Sequence, residues 1–169
     1  MLLFKKQMNF KNWLILGLLL VLMGTGLVWY WRWQNKPMVN YEKISSIKQI
    51  AIEGVVFDVE LAITEEQKKQ GLSGKDYLCE QCGMLFVYNT PGYYSFWMKD
   101  TLIPLDIIWF DENWQVVDYL AWAQPQGARK AGELPIYQPK EKAWFVLEVP
   151  GGTTKRINNF KISSKADIR

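Results

Sequence analysis

The chain has 169 residues, 49% of them hydrophobic and 15% aromatic, enough for one packed domain and an accessory segment. It contains no histidine, which excludes Ser-His-Asp and Cys-His catalysis, histidine general bases and His-rich metal sites. The net charge of +3 is unevenly placed: residues 1–46 hold six Lys/Arg and one acid, while the rest is slightly acidic and lacks the electrostatic footprint of a nucleic-acid binder.

From the start, Lys5, Lys6 and Lys11 precede an uncharged apolar run, Trp13 to Trp31. Trp29, Tyr30, Trp31 and Trp33 crowd its far end, as aromatic belts do at a bilayer surface. Such a run suits a membrane-crossing helix, and the charge bias puts the N-terminus in the cytoplasm. The organisation predicted is a basic cytoplasmic N-terminus over 1–12, a single transmembrane helix over 13–33, a polar linker over 34–46, and an extracytoplasmic β-rich domain over 47–169. A cleaved signal peptide, giving a secreted protein, is the alternative.

Residues Lys48 to Ala62 alternate apolar and polar around Glu53-Gly54, which predicts a hairpin. Thr64 and Gln67 have capping-box spacing, so a short helix is predicted over 64–70, ended by Gly71. Further strands are predicted at Met84–Tyr88, Tyr93–Met98, Leu105–Phe110, Gln115–Ala123 and Trp144–Val149, with turns at Pro91-Gly92 and Asp111–Asn113. The long Gly/Pro stretch from Gln124 to Pro139 reads as a binding or lid loop. The fold class is therefore mainly β: a compact, mainly antiparallel sandwich or barrel with one short helix, preceded by the membrane helix.

The blocks GMLFVY (83–88) and FWMKDTLIPLDIIWFDENWQVV (96–117) resemble the uncharacterised bacterial and archaeal family called domain of unknown function 192. Gln70-Gly71-Leu72 upstream and Tyr137 with Trp144–Glu148 downstream extend the resemblance over roughly residues 50 to 165. It implies a compact β-rich domain, often behind a signal or anchor, with no established biochemical role. The chain departs from the family pattern at Asp100, where Asn is usual, and in having a Cys pair.

Candidate ligand-binding residues are Trp97, Met98, Lys99, Asp100, Asp106 and Glu148, because charges inside an apolar, strand-like run must be paired or face a site. The bland reading makes them buried scaffold, with Asp106 accepting backbone N–H bonds and Glu148 pairing with Lys99 across the sheet. Cys79-Glu80-Gln81-Cys82 reads first as a local disulfide, then as a redox dithiol, then as half a metal site. With no histidine and no third cysteine, neither a metal nor another cofactor is implied. Among the outer tryptophans, Trp114 is expected to be exposed and most of the others to be core.

The functional expectation is a non-catalytic module that binds a small molecule, a glycan or an envelope protein at the membrane. An acid–base or thiol-redox enzyme using the Lys99/Asp100/Asp106/Glu148 cluster or Cys79/Cys82 is one rival. A structural subunit of an envelope complex is another.

Overall fold

The computed structural model describes residues 10–34, 39, 41–127 and 131–169, so Lys5, Lys6 and much of the predicted linker fall outside it. The chain forms two compact units, 1–38 and 39–169. The first contains one helix, α1 (Phe10–Gln34). Its described side chains are apolar and exposed, from Ile15 to Trp31. Counting only the described residues, no helix is long and apolar enough to cross a membrane. The crossing predicted over 13–33 therefore rests on the sequence.

The second unit is built on one curled seven-stranded sheet, a half-barrel. Its strands are β1 (Gln49–Ile52), β2 (Val55–Ala62), β3 (Cys82–Gly92), β4 (Leu105–Phe110), β5 (Val116–Ala123), β6 (Ala143–Pro150) and β7 (Ala166–Ile168), in the order β5-β4-β6-β3-β2-β1-β7. The predicted hairpin is β1–β2: Glu53 and Gly54 both take positive φ, as a two-residue loop matched to strand twist requires. The predicted helix is α3 (Glu65–Gln70), with both hydrogen bonds of the capping box in place. β6 is buried from Ala143 to Val149, which is why its run is continuously apolar apart from Glu148.

Both faces of the sheet are covered. On one, Ile50, Phe57, Phe110 and Leu147 form a core closed by Ile44 of the helical turn α2 (Tyr41–Ser45) and by Ile157, next to α4 (Thr153–Arg156). On the other, Phe86, Ile107, Trp109 and Val146 are covered by Leu72, Phe96 and Met98.

The sheet is mainly antiparallel, with one parallel pair, β2 and β3, because the α3 segment carries the chain back across the sheet. Three expectations need correction. There are three short helices in this unit rather than one, and α2 lies within the stretch predicted as linker. Tyr93–Met98 is not a strand. It is tied to the rest by one bridge, Phe96 to Tyr137, and Tyr94 stacks back on Tyr88. Trp114 is half-buried, stacked on Phe145 at 4.0 Å, while Trp97 and Trp122 are the exposed ones. The cysteines follow the first of their three readings and form a disulfide that closes the turn into β3.

Asp106, fully buried on β4, ties three segments together. Its Oδ1 accepts the N–H groups of Trp122 (2.7 Å) and Gly152 (2.8 Å); its Oδ2 accepts the N–H and the hydroxyl of Thr154, both at 2.7 Å. Four donors around one carboxylate satisfy a charge that would otherwise be costly to bury. The knot needs glycine at 152, whose φ is +86° and whose added Cβ would lie 2.3 Å from the Trp122 ring. Gly152→Ala is expected to cost about 3 kcal/mol from backbone strain and overpacking together. Equal denaturant midpoints for the two proteins would refute this.

Candidate functional site

Side chains alternate across a strand, and this separates the two buried carboxylates. On β4, Asp106 shares its face with Ile108 and Phe110. On β6, Glu148 shares the opposite face with Val146 and sits between Met84 of β3 and Ile107 of β4. Residues that look like one cluster in the sequence therefore work on opposite sides of the sheet.

Above Glu148 is a cleft of about 350 Å³. One wall is the end of α3 and the turn after it, Lys68 to Ser73; the other is Trp97 to Thr101; Phe86 and Phe96 pack edge to face at its apolar base. The walls are joined by a hydrogen bond from the Gly74 N–H to the Asp100 carbonyl, 2.8 Å. Asp100 itself has φ +54°, a conformation that aspartate tolerates better than most residues. Just past the segment predicted as a strand, which ends at Met98, the chain makes a sharp turn that presents Lys99 and Asp100 to solvent.

Four of the six predicted residues, Trp97, Lys99, Asp100 and Glu148, line the cleft. Met98 does not: it is 1% exposed and part of the core. Asp106 belongs to the knot. The predicted Lys99–Glu148 ion pair is absent from the ion pairs among the described residues, and the Lys99 ammonium lies instead 5.9 Å over the Trp97 ring.

Glu148 is thus 5% exposed, with no hydrogen bond or ion pair to its carboxyl among the described residues. No fully enclosed polar side-chain atom there lacks a partner, so this carboxyl must reach the cleft. Burial, the sole cause, pushes it up to about 8, so it carries a proton at neutral pH. Tyr88 on the same face is pushed well above its ordinary range, mainly by burial and then by Tyr94 and Glu148. Among the described residues no group of three His, Cys, Asp or Glu side chains is placed to hold a metal ion.

Sequence reasoning missed the α3 wall, Thr101 and the two phenylalanines. One signal was available: residues 65–70, EEQKKQ, include no apolar side chain, so a helix there has nothing to seat it on the sheet and leaves room beneath, and none of its residues is buried.

Residues 48–163 match the model of the DUF192 family, described as an uncharacterized ACR. The chain is similar to a crystallised protein of unknown function from Novosphingobium aromaticivorans DSM 12444, with 30% identity and a TM-score of 0.64 over 72% of this chain and 84% of that one. It is also similar to a Sinorhizobium meliloti 1021 protein provisionally described as a transcription regulator, with 25% identity and a TM-score of 0.62 over 71% and 90% of the two chains. No curated protein matches it.

Proposed function

This chain belongs to the DUF192 family, and we propose that its family domain is a non-catalytic module binding a small molecule in the cleft under α3, held outside the cell by a membrane anchor. Every cleft residue falls within the matched region, whereas α1 lies outside it. The anchor reading is supported by the uncharged apolar run from Trp13 to Trp31 with its aromatic flank, and by the exposed apolar side chains described on α1, which need a covering such as lipid. The lysines ahead of it favour a cytoplasmic N-terminus.

The observation that carries the binding reading is the unpartnered Glu148 carboxyl at the floor of a cleft with aromatic walls. Burying a polar group without a partner is unfavourable, so stability alone does not explain it. A ligand that hydrogen-bonds it does. Thermal unfolding of the full chain in detergent, screened against metabolites and glycans, tests the idea. A true ligand at a hundred times its Kd should add about 2.7 kcal/mol to the wild type and less to Glu148→Gln. A broad panel with no stabilisation, or equal stabilisation of the variant, would count against it.

An acid–base enzyme is the second reading. It is favoured by the gathering of Glu148, Asp100 and Glu66 beside Lys99 in one cleft, with burial holding the proton on Glu148. Turnover of any screened ligand, abolished by Glu148→Gln, would establish it over simple binding.

A further inference from the structure

We propose that the cleft takes an organic ammonium ion, with Glu148 as its counter-charge and Phe86, Phe96 and Trp97 as its apolar walls. This rests on the reading of the cleft as a small-molecule site and names the class of ligand. Glu148 is the one acidic lining group that is more than nine-tenths buried, and among the described residues neither Lys99 nor any other base is paired with it. Burial is the whole cause of its retained proton, so a cation delivered there removes the reason for keeping it. Aromatic walls suit that cation, since ring faces attract ammonium groups. The lysines of this region already show the preference: Lys68 lies 4.6 Å over the Tyr88 ring and Lys99 lies 5.9 Å over Trp97.

The rim does not reverse this. Lys68, Lys69 and Lys99 line it against Glu66 and Asp100, and the third lysine charge is offset from outside the cleft by Glu65, which is bonded to Lys68 at 3.0 Å. Apart from Lys68 these groups are exposed, so solvent and salt screen them, whereas the charge on the floor is screened least. Binding therefore exchanges one proton for one ammonium: Glu148 releases its proton to solvent and keeps the ligand's N–H donors as hydrogen-bond partners.

The test uses the full chain in non-ionic detergent at pH 7, in potassium chloride without buffer. Benzylamine is the probe, and benzyl alcohol and benzoate are the matched neutral and anionic controls. Benzylamine is expected to saturate and to release close to one proton per chain by pH-stat titration, while the controls do not bind. Glu148→Gln should weaken benzylamine at least tenfold and abolish the release, and Trp97→Ala, at an exposed position, should weaken it several-fold. If benzyl alcohol or benzoate binds as tightly as benzylamine, the ammonium assignment falls and the small-molecule cleft stands. If benzylamine binds Glu148→Gln unchanged, or saturates without releasing a proton, the assignment falls too. Failure of all three probes overturns the ammonium assignment, and the wider ligand panel then decides the fate of the cleft separately.

Discussion

Asp106→Asn is expected to destabilise the domain by about 4 kcal/mol. The amide keeps one acceptor oxygen, which holds two of the four hydrogen bonds. Its NH2 group must face the donors that the other oxygen served, either the Trp122 and Gly152 amides or the Thr154 amide and hydroxyl. Each hydrogen bond to a charged acceptor contributes about 1.5–3 kcal/mol, and each buried donor left unsatisfied costs about 1–3 kcal/mol. Asp106→Ala removes every acceptor and is expected to leave the domain unfolded, since total stability is commonly only about 5–15 kcal/mol. Guanidinium unfolding of the full chain in detergent measures both. An asparagine variant with the wild-type midpoint would show that the three segments hold together without the carboxylate.

Glu148→Gln should do the opposite at alkaline pH. The wild-type carboxyl is raised from 4.5 to about 8 in the folded protein, so between those values the folded state holds a proton that the unfolded state has lost. Stability is therefore fully present below about pH 4.5 and falls as pH rises through about 8. The full difference amounts to roughly 5 kcal/mol. Glutamine fills the same space and has no proton to lose. The two proteins should melt alike near pH 5, and the variant about 10 °C higher near pH 9. Other titrating groups are common to both, so the difference between the curves isolates this one side chain. Parallel curves across that interval would mean that Glu148 is solvated or paired in solution.

Much of this architecture was legible in the sequence because its cues are local. Alternation marked β1 and β2, apolar runs set off by turn residues marked β4 and β6, and a capping box marked α3. What was not legible depends on partners distant in the chain. The parallel pairing of β2 and β3 leaves no local trace. Tyr93–Met98 has strand-like composition, yet its one β-bridge is at Phe96, and the Tyr94 carbonyl is taken by the Trp109 side chain instead of a strand. The separation of Asp106 from Glu148 requires knowing that β4 and β6 are neighbours and in what register. Lys99 seemed a natural partner for Glu148, but the turn at Asp100 aims it elsewhere.

The sheet order has a consequence for biosynthesis. β1, near the start of the domain, is bordered by β7, its last strand: Ile50 pairs with Ile168, and Arg169 exchanges hydrogen bonds with Gln49. Until residues 166–169 leave the ribosome, one side of β1 has no neighbour, and a bare strand margin is a template for self-association. The nascent domain thus keeps this seam open until that segment emerges and zips it shut.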